Sequence, residues 1–401
     1  MVKWTRAVPL VIVLLAGLTC LAVAQMPPVD PADAFFDDTV VHDIKLAINS
    51  RDWLLLRALF DENIYFPSDF RWRDQVLRNS SIRSRGTSSR SPLKPTLIVE
   101  FNRYTSGQQF VGLTRFILRN QWLDASNLHD RLSMLFFRRL GLVAPRETHA
   151  RLYVNDEYVG LYTSVESVDQ EFVQKNFGEK DGTLYQFSFD NGTLVAGANP
   201  PDEVIARFVE RVNDTTGAAW RSAMAEFLDL EKFVRHLAIE NFLAERNGIT
   251  ADYGSTSFNL YRFQNTNRFV FLASDKTSTF SDPNYPIFRN IADGPEDRRN
   301  RLVVRALQEP DLLQLYLSTL LECADSASSV AGAPPTGEAS TQGWLEREVA
   351  REYDQIRAAA ITDTRSDFTP DQFEEAIANL KAFARDRSVA VRAQVAMARG
   401  R

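Results

Sequence analysis

Cysteine and histidine are scarce in this sequence, which has two cysteines and four histidines in 401 residues. Cys20 lies in an N-terminal apolar stretch that we expect to be removed, so Cys323 would be the single thiol of the mature chain and no disulfide is expected. The histidines are scattered and form no Cys/His cluster, which argues against a zinc site. Stability must therefore come from an apolar core.

The chain also has no excess of positive charge, because it contains 46 Lys and Arg residues and 52 Asp and Glu residues. The formal net charge is −6, and it becomes −8 once Lys3 and Arg6 leave with the N-terminal stretch (−6 − 2). A mildly acidic chain lacks the basic footprint of a nucleic-acid-binding protein. An apolar content of 44% in a chain of this length predicts a globular protein with one large core or two lobes.

Residues 1–24 have the composition of a secretory signal peptide. Lys3 and Arg6 form a positive start, residues 8–23 are mostly apolar, and Ala-Val-Ala before Gln25 is a small-residue cleavage site. We therefore predict a protein that is secreted, periplasmic or attached to the cell surface, with residues 25–39 as a tether and no stable membrane span after cleavage. An uncleaved membrane anchor is the alternative, and the good cleavage site disfavours it.

The pattern of apolar residues changes near residue 168. The pattern in residues 40–168 predicts short strands, hairpin turns and one main amphipathic helix, for which Asp124-Ala-Ser126 is the expected cap. Residues 169–401 read as mostly helical, with a low-complexity loop at 324–343. This order predicts an α+β fold with a small sheet covered by one helix, followed by a helical lobe.

Two aspartates flank a predicted hairpin in the second half of the chain. The hairpin pairs residues 258–263 with 269–273, and Asp252 and Asp275 stand just outside these strands. Loops at strand ends often carry catalytic carboxylates. The alternative is that both aspartates are turn formers with solvated side chains.

A second candidate stretch runs from Ser81 to Phe101. It is a hydroxyl-rich loop between two strands, and it carries Arg83, Arg85 and Lys94. Arginine and lysine beside exposed backbone N–H groups form a phosphate cradle. A polar surface hairpin is the alternative for this segment taken alone.

Several stretches together resemble the CotH family, which is named for the bacterial spore-coat protein H. The matching pieces are Ile82-Arg-Ser-Arg85-Gly-Thr-Ser-Ser with Lys94, Asp124-Ala-Ser-Asn-Leu, Leu152-Tyr-Val-Asn-Asp-Glu-Tyr-Val-Gly160-Leu-Tyr-Thr-Ser-Val-Glu166, Leu184-Tyr185, Leu228-Asp229 and residues 252–280. The resemblance covers roughly Val40 to Val395.

The resemblance implies an atypical, secreted protein-kinase-like fold with two lobes. It implies an N-lobe at 40–168, built from a sheet with one main helix, and a mostly helical C-lobe at 169–401. It also implies an exported enzyme that uses ATP with Mg²⁺ or Mn²⁺ to phosphorylate Ser or Thr on proteins outside the cytoplasm. The alternative is a catalytically inactive relative that acts as a binding or surface-adhesion module. A hydrolase using two carboxylates has little support.

The family's nucleotide-binding roles carry over to named positions by resemblance. Lys94 would contact the nucleotide phosphates, and Arg83 and Arg85 would support the loop over them. Glu166 would lie at the lobe junction near the base. Asp130 is the candidate acidic partner of Lys94, because it is the acidic residue in the first two turns of the expected helix.

The family's catalytic and metal roles fall on Asp252 and Asp275 respectively. The family pattern around the metal position commonly reads Trp-Asp-x-Asp, whereas Ser274 and Thr277 stand here at the Trp and second Asp positions. One metal-binding carboxylate is therefore missing, and reduced or absent activity is one expectation.

An amide ligand is also displaced relative to the family pattern. An asparagine that holds a second metal is expected five residues after Asp252, and Ser257 stands there. Asn259 can replace it only if the loop shifts. Because Mg²⁺ demands oxygen ligands in strict geometry, these two departures bear directly on activity.

Overall fold

The structure is a computed structural model, and it describes residue 1 and residues 30–86, 89–190, 193–196, 203–250, 252, 256–291 and 299–400. The predicted signal peptide at 1–24 lies outside the described residues except for the first residue, and so does the start of the predicted tether.

In the described part of the chain, seven strands close into a barrel in the order β1-β2-β3-β4-β5-β7-β6. The strands are β1 (His42–Ile48), β2 (Phe66–Trp72), β3 (Gln75–Ser84), β4 (Leu97–Glu100), β5 (Arg115–Arg119), β6 (Glu147–Val154) and β7 (Glu157–Glu166). Neighbours pair antiparallel except β1 and β6, which are parallel. The predicted simple sheet is corrected to a closed barrel, because the closing β1–β6 pair joins segments about a hundred residues apart and leaves no local sequence signal.

Aromatic side chains fill the barrel. Phe35, from the chain that enters it, packs edge-on against Phe110 and Phe116, each at 5.0 Å between ring centroids. Alternate residues of the strands point inward, as Ile82, Leu97 and Val99 do, so the residues between them lie on the outer face.

The helices are α1 (Ser50–Ala58), α2 (His129–Arg139), α3 (Gln170–Phe177), α4 (Glu203–Asp214), α5 (Gly217–Phe227), α6 (Leu230–Phe242), α7 (Arg301–Gln308), α8 (Pro310–Ala327), α9 (Trp344–Ile361) and α10 (Pro370–Arg399). The predicted cap at Asp124-Ala-Ser126 is corrected, because α2 begins at His129, with Leu128 at the N-cap position and no side-chain cap there. Asp124 still contacts the helix start, where its Oδ2 accepts a hydrogen bond from His129 N at 2.8 Å. The predicted loop at 324–343 begins as helix, because α8 continues to Ala327. None of the helices in the described ranges combines the length and the apolar character needed to cross a bilayer.

A second sheet of four described strands has the order β11-β10-β8-β9. Its strands are β8 (Thr183–Asp190), β9 (Thr193–Ala196), β10 (Phe258–Arg262) and β11 (Phe269–Ala273). The predicted hairpin is β10 and β11, and it is confirmed, whereas β8 and β9 were not predicted. Phe172 of α3 packs with Leu272 on one face, and Phe233 of α6 packs on Phe271 on the other at 5.0 Å. The mixed α+β class is therefore confirmed.

Candidate functional site

A cleft of about 470 Å³ lies between the outer face of the barrel and the second sheet. Strands β3, β4, β5, β6 and β7 supply one wall of the cleft. The opposite wall includes Asn259 of β10 and Asp275, which follows β11. Clefts of this size between packed elements are common ligand sites.

The barrel wall of the cleft carries a row of five side chains, one from each of five strands. The strand register places Arg83 beside Ile98, Ile98 beside Ile117, Ile117 beside Val165 and Val165 beside Glu147. Ile98, Ile117 and Val165 form their own small apolar cluster on the outer face. The row therefore presents an apolar strip with a cation at one end and a carboxyl group at the other.

Four arginines among the described residues line the same wall: Arg83, Arg85, Arg115 and Arg119. Arg83 and Arg85 are two positions apart, and Arg115 and Arg119 are four apart. An even spacing places residues of one strand on the same face. Burial and the neighbouring Arg119 lower the pKa of Arg85 to about 10, so like charges are crowded here. An anion bound among these guanidinium groups would relieve that repulsion.

Arg119 connects the two walls of the cleft. Its Nη1 forms an ion pair with Asp130 of α2, and the same nitrogen donates to Asp275 Oδ1 at 3.0 Å. Asp130 Oδ1 accepts a hydrogen bond from Lys276 N at 2.7 Å, so α2 also holds the loop that carries Asp275. Arg119 was missed by the sequence analysis; the alternating run Arg-Phe-Ile-Leu-Arg just before the α2 cap is the signal that could have identified it.

Asp275 lies in a strained backbone position and faces the cleft. Its φ angle is 51°, which non-glycine residues adopt at a cost and which is frequent at functional sites. Its side chain is 54% exposed. Burial alone would raise the pKa of Asp275, but Arg119 and the Thr277 hydroxyl outweigh it and lower the pKa below its ordinary value. The carboxylate is thus kept ionised and open to a ligand.

Lys94 does not line the cleft. Its Nζ donates to Asp363 Oδ2 at 2.6 Å, and the two side chains are 3% and 2% exposed. The structure therefore does not bring Lys94 together with Asp275. The predicted Lys94–Asp130 pair is wrong, because Asp363 is the partner of Lys94 and Arg119 is the partner of Asp130.

Asp252 is held by cationic side chains next to the loop of Asp275. Its Oδ2 accepts from Arg246 Nε at 3.2 Å, and its Oδ1 accepts from Arg289 Nη2 at 3.0 Å. Burial would raise the pKa of Asp252, but these arginines outweigh it and lower the pKa. Arg246 N donates to Ser278 O at 3.2 Å, which joins the two aspartate-bearing loops, although Asp252 itself does not line the cleft.

Glu166 stands where β7 ends, and it lines the cleft. Its carboxylate accepts from Arg146 Nη2 at 2.5 Å and from Lys175 Nζ at 2.7 Å. Burial would raise the pKa of Glu166, but Arg146 and Lys175 lower it overall. The structure thus places this glutamate between the barrel and α3, near one end of the apolar strip.

Two positions that depart from the family pattern have defined contacts. Thr277 Oγ1 donates to Asp275 Oδ1 at 3.1 Å, in place of a second carboxylate. Ser257 has a φ of 56° and accepts a hydrogen bond from Asn247 Nδ2 at 3.1 Å. Asn259 lines the cleft with Asp275. Asn259, and not Ser257, is thus the side chain of this pair that lines the cleft.

This set of residues fits a metal-bound nucleotide. Asp275 and Asn259 offer the oxygen ligands that Mg²⁺ prefers, although no group of three or more His, Cys, Asp or Glu residues suited to a metal exists among the described residues. The remaining ligands would then be phosphate oxygens and water, as is usual for Mg²⁺ held by one or two protein groups. The arginines fit the phosphates, and the apolar strip offers a surface for a flat ring.

Comparisons with known proteins agree with the resemblance noted in the sequence. The profile of the family described as CotH kinase protein matches residues 82–391. The inner spore coat protein H of Bacillus subtilis (strain 168) is 23% identical over 332 residues, which are 76% of this chain and 86% of that protein. A crystal structure of the Helicobacter pylori proinflammatory kinase CtkA covers 76% of this chain and 95% of its own at 10% identity, but a TM-score of 0.31 is too low to establish a common fold. With its family profile matched over most of its length, the chain belongs to the CotH family.

Proposed function

We propose that this chain is an exported kinase-like enzyme that binds ATP with Mg²⁺ or Mn²⁺ in the cleft and transfers phosphate to Ser or Thr of proteins outside the cytoplasm. The observation that carries the proposal is the Arg119 contact with both Asp130 and Asp275. Phosphoryl transfer depends mainly on positioning and on neutralising charge, and this contact fixes a cation and a metal-binding carboxylate together.

Each part of the nucleotide has a matching group in the cleft. The apolar strip of Ile98, Ile117 and Val165 would contact the base, with Glu166 at its edge. Arg85 and Arg119 would bind the phosphates. The metal ion, held by Asp275 and Asn259, would neutralise phosphate charge. Lys94 has no part in this arrangement.

Asp252 is the residue proposed to orient the acceptor hydroxyl. It lies on the loop that is hydrogen-bonded to the loop of Asp275 through Arg246 N and Ser278 O. Its low pKa keeps it an acceptor at neutral pH. In the observed arrangement Arg246 and Arg289 contact its two oxygens, so an acceptor would have to approach beside them or displace one.

Two observations support a location outside the cytoplasm. Residues 1–24 have the composition of a signal peptide. The relative from Bacillus subtilis is named as an inner spore coat protein. Neither of them identifies the protein substrate.

A second candidate is a binding or surface-adhesion module without catalysis. Thr277 stands where the family pattern has a second aspartate, and its hydroxyl contacts Asp275. A site with one carboxylate at this position would hold a divalent ion more weakly. Such a chain could bind a nucleotide, or an anionic surface, without transferring phosphate.

The test is calorimetric titration of the purified mature chain with Mn²⁺-ATP, followed by mass spectrometry for phosphate on the chain itself and on a Ser/Thr peptide mixture. Arg85→Ala is the cleft variant, and Arg78→Ala, at an exposed position on β3, is its matched control. We expect binding that Arg85→Ala weakens about tenfold and Arg78→Ala leaves unchanged. Binding without any transfer would favour the second candidate, and the absence of binding would refute the nucleotide site.

A further inference from the structure

A second cavity, of about 660 Å³, lies along β11 and shares no lining residue with the cleft. Its walls are the segment Gly141–Val143 after α2, the end of α3, the start of α6 and β11 itself. We call this cavity the β11 groove. Four consecutive residues of β11, Phe269 to Leu272, line it. A run of consecutive residues means that the groove follows the edge of the strand and not one of its faces.

Hydrogen bonds show which backbone groups face this edge. Phe263 N donates to Arg268 O at 3.0 Å, and Ser274 N donates to Ser257 O at 3.3 Å. In an antiparallel pair every second residue bonds the same neighbour, so Val270 and Leu272 direct their backbone groups to β10. The backbone N–H and C=O of Phe269 and Phe271 therefore point to the opposite side, where β11 is the edge of the described sheet.

The edge already pairs with an extended segment at one position. Leu228 forms a parallel bridge with Phe269, after which its chain turns away into α6 at Leu230. The groove continues past this bridge along Phe271. The edge is thus shaped to accept a strand, and the next position along it is not filled by a described strand.

Apolar side chains from both faces of the sheet border the groove. Phe233 and Phe271 are buried on one side, whereas Phe177, Phe263 and Val270 are only partly buried on the other. An extended peptide directs alternate side chains to opposite sides, so each set would find an apolar surface. Beyond the Leu228 bridge at Phe269, the three lining residues Val270 to Leu272 span about 10 Å, which is the length of about three peptide residues.

Charge at the rim favours an acidic group on the peptide. Glu179 is already bonded to Tyr261 Oη and Gln264 N, each at 2.8 Å, and Asp229 caps α6 through Lys232 N. Arg268 lies at the hairpin end of the groove, its side chain is exposed, and no ion pair to it is found among the described residues. An acidic residue at that end of the peptide would pair with it.

We propose that the β11 groove binds an extended apolar peptide segment of a partner protein, with an acidic residue at the Arg268 end, by strand addition to the edge of β11. This docking function goes beyond nucleotide binding and phosphate transfer. It uses residues that do not line the cleft. It would hold a partner protein at a second place on the molecule.

The test measures fluorescence anisotropy of a fluorescein-labelled peptide, Asp-Val-Thr-Val-Ile-Val, titrated with the mature chain without nucleotide or metal. The comparison peptide has the same sequence with alternate backbone nitrogens methylated, which removes the N–H groups that strand addition requires. The groove variants are Val143→Glu and Arg268→Glu. The matched control is Val330→Glu, at an exposed position that does not line the groove.

We expect saturable binding of the first peptide, weakened about tenfold or more by N-methylation and by Val143→Glu, and unchanged by Val330→Glu. Arg268→Glu, at an exposed position, should fold normally, weaken the acidic peptide and strengthen a version with Lys in place of Asp. Equal affinity for the N-methylated peptide would replace strand addition with simple apolar binding and overturn the proposal. So would the absence of saturable binding to the unmodified chain. Because no nucleotide is present, either result is independent of the phosphotransfer test.

Discussion

Two buried contacts between a cation and a carboxylate, Lys94–Asp363 and Arg119–Asp130, lead to opposite conclusions about function. Lys94 and Asp363 are both almost fully enclosed, at 3% and 2% exposure. Arg119 also contacts Asp275, whose side chain is 54% exposed to the cleft. A charge that is sealed from solvent cannot contact a ligand in this arrangement, whereas a charge shared with an open carboxylate can act on one.

The enclosed contact also explains the most specific motif of the sequence. Asp363 Oδ2 accepts from Leu161 N at 3.0 Å, beside Gly160 in the Tyr-Val-Gly-Leu-Tyr run. A Cβ atom on Gly160 would lie 2.5 Å from the same oxygen, and the φ of Gly160 is 144°. Glycine is therefore required for the close approach of Asp363 to β7. The motif is a docking point for the segment after α9, not part of the cleft.

The largest effect should come from breaking the enclosed pair. Lys94→Met would leave Asp363 buried without its counter-ion, and losses of this kind cost about 3–5 kcal/mol of unfolding free energy. Urea unfolding of the purified chain measures it. Calorimetry on the folded fraction should show Mn²⁺-ATP affinity within about twofold of the unmodified chain, because Lys94 does not line the cleft.

Lys45 offers a matched control for that change. Its ion pair with Asp156, at 3.1 Å, is exposed, with the two side chains 46% and 85% accessible. Lys45→Met should therefore change the unfolding free energy by less than about 1 kcal/mol. A Lys94→Met chain as stable as Lys45→Met, or one that loses nucleotide affinity while folded, would contradict the assignment of Lys94 to the fold.

The next effect should come from the open carboxylate. Asp275→Ala removes the exposed aspartate that Arg119 orients, so metal-dependent nucleotide binding should fall by about a hundredfold or more. Stability should change little, since the side chain is half in solvent. Asp282→Ala, in the same loop region but not lining the cleft, is the control. Undiminished Mn²⁺-ATP binding by Asp275→Ala would remove the metal role from this residue.

Sequence analysis identified those residues of the candidate site that lie in recognisable short motifs. Arg83, Arg85, Glu166 and Asp275 were proposed from motifs and do line the cleft. The position of Lys94 was not predictable from spacing, because its partner Asp363 is 269 residues away along the chain. The sequence pattern of a lysine beside a candidate phosphate-binding loop is identical whether the side chain faces a ligand or is buried in the fold.

One element of the cleft wall that sequence analysis missed, β5, is short. It has five residues, and its place in the barrel depends on pairing both with β4, the strand before it, and with β7, which follows α2 and β6. Arg119 at its end was therefore not recognised as the partner of Asp130. The helix that carries Asp130 was predicted, because its apolar periodicity is local. Closure of the barrel and the pairing of charges were the parts that needed the three-dimensional structure.

A smaller effect should appear in the pH dependence of metal binding. Arg119 helps to hold the pKa of Asp275 below its ordinary value of 3.8, so the carboxylate is ionised above that pH, and the stability it contributes is lost as pH falls through the lowered value. Arg119→Gln removes this lowering effect, so the pKa of Asp275 should rise.

The acid limit of Mn²⁺ binding is the pH below which binding is lost. It should consequently lie at a higher pH in Arg119→Gln than in the unmodified chain. Calorimetric titration with Mn²⁺ between pH 4 and pH 7, over the range in which circular dichroism shows a folded chain, measures it. Arg115→Gln is the control, because Arg115 lines the cleft but pairs with Asp169 at 3.4 Å and not with Asp275. An acid limit at the same pH in Arg119→Gln and the unmodified chain would mean that Arg119 does not set the charge of Asp275.

The smallest effect concerns the missing carboxylate. In Thr277→Asp a second acid would replace the hydroxyl that donates to Asp275 at 3.1 Å. Without metal, two neighbouring carboxylates repel, so unfolding free energy should fall slightly. With metal, the added charge should tighten Mn²⁺ binding by about three- to tenfold at pH 7.5, because divalent-ion affinity rises with the number of charged ligands. Thr336→Asp, at an exposed position in the loop before α9, adds the same charge elsewhere and should leave Mn²⁺ affinity unchanged. If the two variants bind Mn²⁺ equally, position 277 does not contribute to a metal site. That result would favour a binding or surface-adhesion module over a kinase-like enzyme.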